Sequence, residues 1–151
     1  IQSMQKIITY TEDVAYRYNR DHAPKAFSRT FLSDSICHTA YRLANQSGAK
    51  AIITFSYSGY TAFRISSHRP LANIFVFTSN KELITKLSLV WGIKAFYFDH
   101  YENIDSAVDY SIQHLVQTGH LKNEDIVVHV ASTPLHEKGK TNMVKLSYVK
   151  S

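Results

Sequence analysis

From Ser33 onward, short apolar runs alternate with stretches of helical periodicity, and that alternation limits the fold more than any single motif does. The runs "AKAIITF" (49–55), "NIFVFT" (73–78), "IKAFYF" (93–98) and "DIVVHVA" (125–131) read as strands, the first of the apolar kind that is buried on both faces of a sheet. Before the first run, Ile36, Cys37, Ala40, Leu43 and Ala44 keep helical spacing, with Asp34 placed to cap that helix and Gly48 to end it. Thr61 to His68 is a shorter helical stretch stopped by Arg69-Pro70, and Asn80 is placed to cap a helix carrying Leu83, Ile84 and Leu87. Ile104, Val108, Ile112 and Leu115 mark one more helix, from Asn103 to Thr118, with Gly119 at its end. Strands alternating with helices predict parallel βαβ units with right-handed crossovers. The last run, "NMVKLSYV" (142–149), breaks the rule. It follows the fourth strand after only Ser132 to Thr141, with no helical pattern between, so it should return antiparallel. The expected fold is a three-layer α/β/α sandwich around a five-stranded mixed sheet, four strands parallel and the last antiparallel.

The first part of the chain does not share this pattern. Residues 1–19 read as one amphipathic helix, with Met4, Ile7, Ile8 and Val14 or Ala15 on one side. Residues 20–33 are polar and interrupted by Pro24, which suits a linker. The α/β domain proper is therefore expected over 34–151. At 151 residues with 44% hydrophobic and 19% charged residues, the chain is long enough to bury one substantial core. No apolar run approaches the roughly 18 residues of a membrane span, so no membrane partner is expected. Net charge is +5, but the basic residues are scattered rather than gathered into a patch, which argues against a nucleic-acid partner. Cys37 is the lone cysteine and has no internal disulfide partner, which suits a reducing, cytoplasmic setting. The chain lacks a signal-peptide layout and does not begin with Met, so it reads as a processed product or an excised fragment.

Two loops carry the chemistry. In an open α/β sheet, ligands bind beyond the C-terminal ends of the strands. Ser56-Tyr57-Ser58-Gly59-Tyr60-Thr61 follows the first strand, and its backbone N–H groups should face outward at a helix start. Helix dipole and free donors favour an anion there, and the hydroxyls of Ser56, Ser58 and Thr61 add further donors. "STPLHEKGKTN" follows the fourth strand, with Gly139 for close backbone approach and Lys138 and Lys140 for charge. Either loop could equally be a capped turn with solvated lysines. The eight histidines show no HxH or HExxH spacing, so no metal site is expected, and His129 reads as a half-buried structural residue. Asp105 and Asp109 share a helix face for reasons of helix electrostatics and solvation. No phosphate-loop, dinucleotide-binding or nucleophile-elbow motif occurs, and no catalytic residues are expected.

Ser58-Gly59-x-Thr61-Ala62, then Ser66-x-x-Arg69-Pro70 and "NIFVFT", resemble the C-terminal domain of pyruvate kinase. Leu89-x-x-Gly92-Ile93, Asp125-Ile126-Val127-Val128 and Gly139-x-Thr141-Asn142 recur in the family's order. The resemblance covers about Asp34 to Val149. "MQKIITYTED" is similar to the last helix of that family's catalytic barrel. The resemblance implies a parent reaction, phosphoryl transfer from phosphoenolpyruvate to ADP at the end of glycolysis, with magnesium and potassium held in the barrel. It implies no cofactor for this chain and no activity of the chain alone. It further implies a regulatory and oligomerisation role, self-association into a homotetramer, and a phosphorylated effector, either a sugar phosphate or a nucleotide monophosphate. By position the effector site would comprise Ser56, Tyr57, Ser58, Gly59, Tyr60 and Thr61 with Lys138, Gly139, Lys140 and Thr141.

This sequence also departs from the family pattern. Tyr57 stands where sugar-bisphosphate-binding members carry lysine, and Asn103 to Thr118 contains no Lys or Arg. Phe63 stands where many bacterial members have arginine, and Ser132 replaces a common glycine. Those changes favour one phosphate over two. The alternative reading is a free-standing, non-catalytic α/β protein that binds a phosphorylated metabolite of its own.

Overall fold

The computed structural model describes residues 1–14, 18–99, 103–133 and 141–150, with Val14 described by its backbone alone. Its strands are β1 (Ala51–Phe55), β2 (Asn73–Thr78), β3 (Ile93–Tyr97), β4 (Ile126–Ala131) and β5 (Met143–Tyr148). Its helices are α1 (Gln2–Val14), α2 (Phe31–Ser47), α3 (Tyr60–Ser67), α4 (Lys81–Leu87) and α5 (Ile104–Gln117). The sheet order is β3-β2-β1-β4-β5. β1 pairs parallel with β2 and β4, and β2 with β3, while β5 runs antiparallel to β4 with Ile126 opposite Tyr148 and Ala131 opposite Met143. The expected mixed five-stranded α/β fold is the observed one.

Alternate residues of each central strand enter two separate cores, because successive side chains of a strand point to opposite faces. On one face, Ile52, Ile74, Val76, Val128 and Val130 pack with Cys37, Ala40 and Ala44 of α2, Ala62 and Ile65 of α3, and Leu83 and Leu87 of α4. On the other, Ile53, Phe55, Phe75, Phe77 and Val127 pack with Ala107, Val108 and Leu115 of α5. Asn80 and Asn103 cap α4 and α5, each side chain accepting a hydrogen bond from the helix's first turn. α2 ends at Gly48, whose φ of 65° is the left-handed conformation that glycine adopts without steric cost.

Three sequence expectations change. α2 begins at Phe31, so Asp34 is not its N-cap but a buried residue inside the first turn. The residue at the cap position, Thr30, makes no side-chain cap bond and instead donates its hydroxyl to Asp34 Oδ2 at 2.9 Å. His129 is fully buried rather than half-buried, with Nε2 3.1 Å from Ser147 Oγ. Burial, with the Lys145 charge adding to it, pushes that imidazole down to about 4. The amphipathic N-terminal helix is shorter than the sequence pattern, and residues 2–13 are all exposed. Ala15 lies outside the described residues.

Cys37 sits in the first core with no exposed surface, its sulfur 4.0 Å from the Thr61 carbonyl oxygen. Burial, reinforced by the Asp34 carboxylate, pushes the thiol up to about 12. The thiolate is the reactive form, so at pH 8 alkylation of the native chain should run at least roughly a thousandfold slower than that of a free thiol. In denaturant the difference should vanish. Rapid labelling of native protein would show that α2 does not pack as described.

Candidate functional site

The connectivity fixes where a ligand could sit. The chain runs outward from β1 to β2 and β3, then returns to place β4 on the other side of β1. The crevice beyond the C-terminal ends of β1 and β4 is therefore the topological switch point, where open α/β sheets bind ligands. The loop 56–59 leaves β1 there, and the connection starting at Ser132 leaves β4 there.

The first loop is pinned from several sides. Ser56 N–H donates to the Phe77 carbonyl at 3.2 Å, and Asn80 Nδ2 donates to the Tyr57 carbonyl at 3.3 Å. Gly59 is buried with φ 83°, and a Cβ there would lie 2.7 Å from Leu83 Cδ1. Only a residue without a side chain fits both the conformation and the space. Of the N–H groups expected to face outward, those of Gly59 and Tyr60 are taken by the loop's own hydroxyls. Gly59 N–H donates to Ser56 Oγ at 3.0 Å, and Tyr60 N–H is 3.4 Å from Ser58 Oγ.

Behind the loop lies a charged cluster that local sequence patterns do not reveal. Tyr60 Oη donates to Asp34 Oδ1 at 2.6 Å, and Arg64 Nε lies 2.8 Å from the same oxygen. Burial alone would raise the Asp34 carboxyl, but the Tyr60 and Thr30 hydroxyls and the Arg64 guanidinium together hold it below its ordinary value. Tyr60 and Arg64 are spaced i, i+4, so they project from one face of α3. The first turn of α3 is thereby fastened to the first turn of α2. Arg64 is committed to this pair.

The two loops meet at a pair of threonines. Thr61 Oγ1 and Thr141 Oγ1 are 2.6 Å apart, and both residues are buried. The pair holds two hydroxyl protons and uses one for the mutual bond, which leaves one to donate elsewhere. Asn142, next along, closes the neck of the second loop: its side chain accepts from Thr133 N–H and donates to Thr133 O, both at 2.8 Å. Lys138, Gly139 and Lys140 lie outside the described residues. Within the first loop, Tyr57 and Ser58 are exposed. A cleft of about 260 Å³, lined by Gly48, Lys50, Pro70 and Asn73 among others, lies at the opposite end of the strands. It shares no residue with this crevice.

Comparison with known proteins gives the same frame. The family description "Pyruvate kinase, alpha/beta domain" matches residues 34–147. The pyruvate kinase of Geobacillus stearothermophilus is 29% identical over 149 residues, covering 99% of this chain and 25% of that protein. The Staphylococcus saprophyticus enzyme is 36% identical over 115 residues, or 76% of this chain and 19% of that protein. Among solved structures, Cryptosporidium parvum pyruvate kinase in complex with ADP superposes with a TM-score of 0.73 at 22% identity, over 83% of this chain and 25% of that one. The chain thus spans about a quarter or less of the length of these relatives.

Proposed function

The chain belongs to the pyruvate kinase family, through that family's alpha/beta domain, and on that premise we propose that it is the regulatory and assembly domain of a parent pyruvate kinase. The parent reaction would be phosphoryl transfer from phosphoenolpyruvate to ADP, in the cytoplasm. The chain alone would have no such activity. Magnesium and potassium would be held by the barrel of the parent enzyme. α1, amphipathic and exposed over residues 2–13, is read as the last helix of that barrel; the linker expected over 20–33 would end at residue 30, because α2 begins at Phe31. The edge of the sheet at β5, with Leu146 and Tyr148 exposed, is a surface on which copies could associate toward a homotetramer.

The effector site is assigned to the switch-point crevice, and the observation that carries this reading is the Thr61–Thr141 contact, which joins the two loops 80 residues apart. A phosphate would take the Gly59 and Tyr60 N–H groups in place of the serine hydroxyls. Ser56 and Ser58 could then rotate to donate, the free proton of the threonine pair would add another bond, and Lys138 and Lys140 would supply charge. The described part of the crevice offers neutral donors, and Arg64 is already paired, which favours one phosphate: a sugar phosphate or nucleotide monophosphate rather than a bisphosphate.

Calorimetric titration with a sugar monophosphate and a nucleoside monophosphate tests this. Thr61→Val should weaken binding by about 1.5–3 kcal/mol, the range for a hydrogen bond to a charged acceptor. Because it also strands the buried Thr141 hydroxyl, stability should fall by about 1–3 kcal/mol, checked by thermal melting. Lys140→Ala should weaken binding by an amount that shrinks as salt is added. The double variant should lose less than the sum, since both residues would hold one phosphate. Unchanged affinity in all three would reduce the loops to turns.

A further inference from the structure

Residues 18–22 form neither helix nor strand, yet they are fastened to the domain at several points. Asn19 N–H donates to the Arg69 carbonyl at 2.9 Å and Arg20 N–H to the His68 carbonyl at 2.8 Å. The Tyr18 ring packs on Trp91 with centroids 5.7 Å apart, and the Asp21 carboxylate pairs with His38 Nε2. At the centre is His68, 1% exposed. Its Nδ1 lies 2.9 Å from the Arg20 carbonyl oxygen, which can only accept, so Nδ1 carries the proton and Nε2 is left with a bare lone pair. Nε2 is buried and has no hydrogen-bond partner among the described residues.

The surroundings make a proton on that nitrogen costly. Tyr41 stacks on the His68 ring at 4.9 Å, and the rings of His38 and His22 lie at 5.5 and 5.8 Å. The strap presents Asp21 and His22 to His68, α2 presents His38 and Tyr41 with Arg42 beside Asp21, and α3 presents Arg64, with Arg69 adjacent in the chain. Asp21 is the one carboxylate in this set, and it is engaged by His38. We propose that this cluster is a proton-operated latch: the strap 18–22 lies closed on the domain while His68 is neutral, and lifts when His68 is protonated. Protonation would place an N–H donor without an acceptor in a buried site ringed by two imidazoles and an arginine, and opening returns the ring to water.

Burial holds His68 below its ordinary value, the His38, His22 and Arg64 groups add to that, and the Arg20 carbonyl opposes it. A histidine that is harder to protonate closed than open leaves closure undisturbed above the ordinary histidine range. It weakens closure progressively as pH falls below about 6.5. The strap lies between α1 and α2 in the chain, so acidification would release the segment that leads into α2. This does not depend on the effector site.

The test uses the full chain. Trp91 is the sole tryptophan, so its emission reports the Tyr18 contact, and amide exchange reports Asn19 and Arg20 directly. Between pH 8 and pH 5.5, protection at Asn19 and Arg20, corrected for intrinsic exchange, should fall severalfold, up to the limit of about tenfold set by one pH unit below an open-state pKa of about 6.5. Trp91 emission should shift with it, while the β1 and β2 amides keep their protection. His68→Asn retains a donor for the Arg20 carbonyl and cannot titrate, so its strap should stay closed at both pH values. Should that variant stand open throughout, the wild-type His68 ring resonances decide, and they must titrate together with strap opening. Equal protection of Asn19 and Arg20 at both pH values, or opening while His68 remains neutral, would overturn the latch.

Discussion

Phe77→Ala should destabilise the domain by about 3–5 kcal/mol, the range for emptying a buried aromatic site. Phe77 has no exposed surface and is the hub of an aromatic cluster. Its ring stacks on Phe96 with centroids 5.4 Å apart, and lies 5.8 Å from Phe55 and 6.2 Å from Phe98. Tyr110 and His114 of α5 meet it edge-on at 6.3 and 6.0 Å. Each such pair contributes about 0.5–1.5 kcal/mol beyond the area it buries. The cluster ties β1, β2 and β3 to α5, so its collapse cannot be relieved by one side chain moving. At about 2–4 °C per kcal/mol for a chain of this size, the melting midpoint should drop by roughly 10 °C. A Phe77→Leu variant should recover more than half of the loss. A shift of only one or two degrees for Phe77→Ala would mean that the second core is looser than described.

Gly59→Val is the second large effect, and it falls on the candidate site itself. Two costs add at this position. A β-branched residue at φ 83° is a steric outlier. Left-handed backbone costs an ordinary residue about 1–2 kcal/mol. The new Cβ would also meet Leu83 Cδ1 at 2.7 Å and Phe63 Cε2 at 3.1 Å, and overpacking of this kind costs about 1–3 kcal/mol. Leu83 is 4% exposed in the first core and has little room to turn away. A total of about 2–5 kcal/mol is expected in denaturant titration. Phosphate affinity should fall as well, because the Gly59 and Tyr60 N–H groups would be displaced from their present directions. Near-wild-type stability would mean that the loop adopts another conformation in solution.

The sheet was legible in the sequence because its signals are local. Predominantly apolar runs such as "NIFVFT" marked strands, and the short Ser132 to Thr141 connection dictated an antiparallel β5. What escaped was everything made by distant residues. Asp34 has the composition and position of an N-cap, yet its partners Tyr60 and Arg64 sit 26 and 30 positions away on α3, and they draw the carboxylate inward. The burial of Thr61 against Thr141 joins residues 80 positions apart, which no local pattern shows. The histidine cluster around His68 has no sequence signature, because His22, His38 and His68 come from three separate segments. The one available hint was position: His68 directly precedes Arg69-Pro70, where α3 must end and the chain turns. Asn142 could have been suspected from its place at the base of a long loop, where an amide can pair with a peptide group on the other side.

The central claim is that the crevice between the β1 and β4 loops holds a phosphate group. Titration of the isotopically labelled chain with inorganic phosphate at fixed pH and low salt, followed through backbone amide resonances, tests it most directly. Saturable shifts should concentrate at Gly59, Tyr60, Thr61 and Thr141, whose donors lie at the crevice. Shifts confined to surface lysines such as Lys81, Lys86 and Lys122, with the Gly59 to Thr61 amides unmoved at concentrations that saturate those sites, would contradict it.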